Sequence, residues 1–164
     1  MTHSVFFLNG PNANLYGLDK TGTYGSESFS SIEARCQDLA ATLGLTLDFR
    51  QSNHEGVLVD AIQEAGRSQS GGMLAGVVLN AGAYTHTSVA LHDAIKGSGV
   101  HVIELHISNV YAREPFRHHS YLSPVVVGVI AGLGVAGYGL AISAFAAIAA
   151  TASRGDAAAL ADMA

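Results

Sequence analysis

The sequence predicts a doubly wound α/β fold built on a five-stranded parallel sheet with helices on both faces. Three observations carry this expectation. Short apolar runs alternate with helix-periodic segments from end to end, the pattern of parallel strands joined by crossover helices. The chain has 164 residues and 49% hydrophobic content, enough for one domain with a substantial core. Polar residues gather directly after the apolar runs, where open parallel sheets hold their ligands.

Val5 to Leu8 is a short apolar strand ending in the turn formers Asn9, Gly10, Pro11 and Asn12. From Asn12 to Gly25 the chain is rich in Gly, Asn, Asp and Thr and reads as a mobile loop. Ser30 followed three residues later by Glu33 makes a capping box, and Ile32, Leu39 and Leu43 supply apolar positions before Gly44 ends the helix. Leu45 to Phe49 is the second strand. A second helix follows the polar run Gln51 to Gly56 and reaches about Ala65, with a turn at Gly71 and Gly72. Val77 to Leu79 is the third strand; the polar loop Asn80 to Thr87 then caps a helix from Ser88 to Lys96. Val102 to His106 is the fourth strand.

Val125 to Ala152 carries no charge and is long enough to match a membrane helix. Its parts argue otherwise. Val125, Val126, Val127, Val129 and Ile130 are β-branched and dense, as in a strand buried on both faces. Gly132 and Gly134 then turn the chain into an Ala-rich helix, and no basic cluster flanks the run to orient it in a bilayer. Five strands and about five helices suit the flavodoxin-like order 2-1-3-4-5, because right-handed crossovers leave few topologies. Residues 1–164 read as one domain, with a tail from about 153 that frays.

A net charge of −5 offers no field for nucleic acid. Cys36 is the only cysteine, which excludes an internal disulfide and fits a reducing cytoplasm, and the apolar amino-terminal run is too short for a signal peptide. Gly132, Gly134 and Gly137 spell GxGxxG after a strand, but no later strand presents an acid to a ribose, so a tight turn with close helix packing is the better role. No GK[ST], HExxH or GxSxG occurs, and eight histidines lack metal-ligand spacing. What remains are polar groups at successive strand ends: Asn12; Asn53 and His54; Asn80 and His86; His106 and Ser108. With Arg113 and Arg117 nearby, they suit a small hydroxylated acid and acid–base chemistry without a metal.

Several long motifs bear on this set: NGPN near the start, Tyr24-Gly25, QSNHEG at Gln51 to Gly56, NAGAYTHTSVAL from Asn80 to Leu91, and ELHISN followed by AREPFRHHSYLSPV. In this order they closely resemble the type II 3-dehydroquinate dehydratases over about residues 5 to 143. The resemblance implies anti elimination of water from 3-dehydroquinate through an enolate, giving 3-dehydroshikimate. It also implies a trimer-based dodecamer and no cofactor, metal or Schiff base. By position, Tyr24 is the base, His106 the acid, Asn12 the holder of the water that stabilises the enolate, and Glu104 the group that orients His106. The amides of Ile107 and Ser108 take the substrate carboxylate; Asn80, His86 and Arg117 hold its hydroxyls; Asp93 reaches in from a neighbouring subunit; Arg113 borders the site.

The lid departs from the family pattern. Where GTRExxxYG has arginine five residues before the tyrosine, this chain has Asp19, with Lys20 beside it. A free tyrosine has a pKa of about 10, so its ionised form at pH 7 costs about 4 kcal/mol, which a cation lowers and an anion raises. The substitution defines two alternatives: a paralogous dehydratase of another cyclic hydroxy-keto acid, or a catalytically weakened carboxylate-binding homologue. Two smaller departures, His92 in place of a frequent arginine and Tyr111 in place of a frequent histidine, fall at the rim or a subunit contact.

Overall fold

The computed structural model describes residues 3–18 and 26–153. Its strands are β1 (His3–Asn9), β2 (Leu45–Gln51), β3 (Leu74–Asn80), β4 (Val102–His106) and β5 (Gly128–Ala131), all parallel, in the expected order β2-β1-β3-β4-β5. Among the described residues four α-helices, rather than the expected five or so, connect or follow them: α1 (Phe29–Thr42), α2 (Glu55–Ser70), α3 (Val89–Ser98) and α4 (Ala136–Ser153).

The continuous apolar character of β1 and β3 reflects burial on both sides. Val5 and Phe7 of β1, with Val78 of β3 and Leu105 of β4, pack under α1 and α4. Phe6 and Leu8, with Val77 and Leu79, pack under α2 and α3. Successive side chains point to opposite faces, so each central strand feeds both layers. The register sets Asn9 beside Gln51 on one flank and Asn80 on the other, bringing three polar strand ends level.

Local boundaries differ where neighbouring residues compete for one role. Helix α1 is capped by Ser28, whose Oγ accepts from the Ser31 amide at 3.2 Å, so the box expected from Ser30 and Glu33 does not form. Ser28 precedes the first aromatic of the helix and has the extended backbone a cap requires. Helix α2 runs past Ala65 to Ser70. The fifth strand is shorter than the β-branched run: Ser123–Val125 is a single 3-10 turn, and Val129 remains 47% exposed. The expectation of burial on both faces fails there because β5 is the sheet edge, beyond the core formed under α2 and α3.

The charge-free run is strand, turn and helix, and no described helix is long and apolar enough to cross a membrane. Gly132 (φ +84) and Gly134 (φ +59) supply left-handed turn positions, while a Cβ on Gly137 would stand 2.8 Å from Leu105 Cδ1. The glycine motif thus closes a turn and seats α4 on the sheet. The loop expected from Asn12 to Gly25 contains a short 3-10 turn at Ala13–Leu15; its part from 19 to 25, like the tail from 154, lies outside the described residues.

Candidate active site

The carboxyl ends of β1, β3 and β4 open onto one cavity of about 110 Å³. Asn12, Asn80, His86, His106, Ile107, Ser108, Arg113 and Arg117 line it, with Tyr16 among their neighbours. Eight residues singled out from the sequence are therefore brought together. Its described lining holds two arginines and two histidines but no carboxylate, a field suited to an anion.

Each wall has a local cause. Asn12 sits at φ 69, a left-handed conformation that asparagine tolerates, and its amide donates to Asn53 Oδ1 at 3.0 Å. Gln51 Nε2 donates to the same oxygen at 3.0 Å and Tyr84 Oη to the Asn53 carbonyl at 2.8 Å. Asn53 thus braces the Asn12 turn from outside the cavity, while His54 stands at the N-cap position of α2 without a side-chain capping bond and is exposed. His86 uses Nδ1 to donate to the His119 carbonyl at 2.7 Å, so Nε2 is its other polar atom. Its ring stacks on His106 with centroids 6.3 Å apart.

His106 is held from behind. Its Nε2 lies 2.8 Å from Oε1 of Glu104, which is fully buried. Burying a carboxylate is costly unless donors surround it, and here Thr85 Oγ1 donates to Oε1 at 3.1 Å while Ser120 Oγ reaches both oxygens, at 2.9 and 3.0 Å. The pairing fixes the ring and assigns the proton on the nitrogen facing the acid.

After His106 the peptide planes are set by the glycine turn. The Gly132 amide donates to the His106 carbonyl at 3.1 Å and the Gly134 amide to the Ile107 carbonyl at 3.0 Å. In a trans peptide the N–H points opposite to the C=O, so the amides of Ile107 and Ser108 face away from that turn. Arg113 Nη1 donates to Ser108 Oγ at 3.1 Å, and Arg117 Nε donates to Glu114 Oε2 at 2.8 Å. Glu114 also pairs with Arg113 at 3.5 Å, and its own backbone amide together with Arg117 holds its carboxyl below the usual value. One acid outside the cavity thereby tethers both arginines.

Asp93 is not brought into this cavity. It lies on α3, in a surface groove shared with Gln63, Arg67 and Ser70 of α2. The assigned base Tyr24 and the lid position Asp19 lie outside the described residues. Sequence reasoning did not single out Thr85, Ser120, Tyr16, Asn9 or Tyr138. A glutamate inside an apolar strand demands buried donors, and that demand was the available signal for Thr85 and Ser120. Nothing in the apolar run around Tyr138 marked its hydroxyl as one that meets Asn9 and Asn80 beneath the cavity.

A parallel sheet of this order, with a cationic small-molecule pocket at its carboxyl end, defines a flavodoxin-like α/β protein with the means for proton transfer. The family model described as Dehydroquinase class II matches residues 3–146. The chain belongs to the class II dehydroquinase family. A protein named 3-dehydroquinate dehydratase from Acidovorax sp. (strain JS42) is 60% identical over 146 residues, covering 89% of this chain and 99% of that protein. Another so named, from Variovorax paradoxus (strain S110), is 59% identical over 140 residues, covering 85% and 96%. The crystal structure of type II dehydroquinase from Propionibacterium acnes superposes with a TM-score of 0.83 at 37% identity, covering 90% of this chain and 98% of that one.

Proposed function

We infer that this chain is a hydro-lyase that converts 3-dehydroquinate to 3-dehydroshikimate and water. Beside the family membership, one observation carries the reading: His106, braced by Glu104, opens into a cavity whose rim holds Arg113 and Arg117. That combination supplies a positioned proton donor in a pocket whose positive field suits a carboxylate-bearing substrate.

Tyr24 takes the proton next to the ketone, and the electrons pass into an enolate. Asn12 holds the water that stabilises the enolate oxygen. The carbon–oxygen bond then breaks as His106 gives its proton to the departing hydroxyl, which leaves as water, and Glu104 keeps the imidazole aimed throughout. The amides of Ile107 and Ser108 bind the carboxylate, with Arg113 at the border. Asn80, His86 and Arg117 hold the remaining hydroxyls. Asp93 serves a neighbouring subunit's site in a trimer-based dodecamer, which reconciles its role with its distance from the cavity of its own chain. The enzyme works in the cytoplasm and uses no cofactor.

Steady-state turnover of 3-dehydroquinate, followed by the enone absorbance of the product, tests this. His106→Asn and Tyr24→Phe each lower kcat by about a hundredfold or more with the fold preserved, the usual weight of a general acid or base. Retention of most of the rate by Tyr24→Phe removes the base assignment. Asp19→Arg tests the lid: wild type that turns over well shows Asp19 to be compatible with the reaction. A silent wild type that gains activity from Asp19→Arg redirects the search to other hydroxy-keto acids.

A further inference from the structure

We propose that Tyr138 and Asn9 are positioning residues that fix the polarity of the Asn80 side chain, so that the cavity presents an amide oxygen there and selects a ligand hydroxyl. The inference rests on the dehydratase reading only for the identity of the ligand.

The argument starts from a group whose role cannot be reversed. The backbone carbonyl of Arg50, in β2, only accepts, and Asn9 Nδ2 donates to it at 3.2 Å. Asn9 Oδ1 therefore faces the other way, 2.5 Å from Tyr138 Oη, and an amide oxygen at that place requires the phenol to donate. The Tyr138 hydroxyl has one proton. Having given it to Asn9, the oxygen accepts from Asn80 Nδ2 at 2.9 Å. Asn80 Nδ2 also donates to Tyr16 Oη at 2.8 Å. Both N–H bonds of the amide are thus spent inside the protein, and Oδ1 is the atom left for a ligand.

Burial makes the chain of contacts one-directional. Asn9 and Tyr138 are each 1% exposed, so water does not stand in for either partner, whereas Asn80, 5% exposed, meets solvent only on its cavity side. A phenol is already protonated at neutral pH, and removal from solvent pushes Tyr138 further above its usual pKa, so it stays a donor into alkaline solution as well. Turning Asn80 over would set its oxygen against a phenol oxygen whose proton is already committed. A ligand alcohol can donate to Asn80 Oδ1; a ketone, an ether or a bare methylene at that position cannot. The polarity of a pocket atom is thereby set by a main-chain carbonyl two side chains away.

The test is a comparison of wild type, Tyr138→Phe and Asn9→Leu, using 3-dehydroquinate and two analogues, each lacking one of the ring hydroxyls not lost in the reaction. The expected result is that wild type binds one analogue at least tenfold more weakly than its parent, and that both variants raise KM about tenfold with kcat within threefold. Both variants also lose discrimination against that analogue while keeping discrimination against the other. Folded variants that weaken every ligand equally, or that discriminate as wild type does, overturn the inference. Should neither variant fold, neutron diffraction of the wild type decides: the Tyr138 deuteron on the Asn9 side supports the inference, and its location toward Asn80 overturns it. A wild type inert toward 3-dehydroquinate defeats the dehydratase reading alone, since the deuteron position still answers the question of polarity.

Discussion

Ser120 Oγ spans the Glu104 carboxylate, 2.9 Å from Oε1 and 3.0 Å from Oε2. The same oxygen accepts from the amides of Leu122 and Ser123, at 3.0 and 2.9 Å, so its single proton is committed to the acid. Glu104 Oε1 in turn faces His106 Nε2. The loop that carries both rim arginines is therefore coupled to the ring through one hydroxyl.

Ser120→Ala removes that coupling and leaves two amides without their acceptor. A hydrogen bond to a charged group is worth about 1.5–3 kcal/mol, and every 1.4 kcal/mol lost from the transition state is tenfold in rate. The expected outcome is a kcat lower by about tenfold or more with KM nearly unchanged, measured in steady state. Equal losses in binding of an inert product analogue would instead indicate general loosening of the pocket.

Gly10→Ala places a methyl where β1 and β3 touch. Its Cβ would stand 2.6 Å from the Ala81 carbonyl oxygen, a backbone atom that cannot swing aside. Overpacking of this kind costs about 1–3 kcal/mol. Urea unfolding reports that loss in its midpoint. Because Asn12 and Gly82 flank the contact, kcat/KM falls as well, even under conditions where the variant is fully folded.

Acid stability has one identifiable contributor in the ion cluster at the end of β2. Arg50 donates to Glu64 at 2.6 and 2.9 Å, lies 2.9 Å from Asp48 Oδ1, and covers the Phe6 ring at 4.5 Å. Hydrogen bonding to Arg50 holds the Glu64 carboxyl below its ordinary 4.5. A depressed carboxylate stabilises the fold above its unfolded pKa and loses that contribution as pH falls through the folded one. Thermal melts of wild type and Glu64→Gln therefore differ most at neutral pH, and the difference shrinks as pH drops below about 4.5. A gap that stays constant from pH 7 to pH 3 contradicts this assignment.

Cys36 serves as a built-in reporter of unfolding. It is 5% exposed on the buried face of α1, and burial pushes its thiol up to about 11. The thiolate is the reactive form. A disulfide reagent at pH 8 finds no reactive thiol in the native protein and titrates one per chain in denaturant; rapid native labelling would mean that α1 opens readily.

The sheet was legible because its signals are redundant: apolar runs, the turn residues that end them and the helix-periodic segments between them agree for the first four strands. The site was legible for a related reason. Asn12, Asn80, His106 and Ser108 stand immediately after apolar strands, and a parallel sheet carries all such positions to one edge. Adjacent candidates were harder to rank. Ser28 and Ser30 are the same residue type two positions apart, and the packing of Phe29 between them decides which one caps. The edge position of β5 left Val129 exposed although its composition matched a buried strand, because composition does not report how many neighbours a strand has. Tyr138 was invisible for a deeper reason: its hydroxyl acquires meaning only from Asn9 and Asn80, which are distant in sequence.

That distance has a consequence for how the protein comes to be selective. Asn9 and Tyr138 are 129 positions apart and meet beneath the cavity. A chain growing from its amino end can align β1, β2, β3 and β4 and hold the Asn80 amide through Tyr16 Oη alone, until the opening turn of α4 brings in Tyr138. On the proposed assignment, discrimination among ligands therefore waits on the docking of α4. On the same assignment, a fluctuation that lifts α4 while sparing the sheet leaves Asn80 with one fixed partner and loosens the choice of ligand.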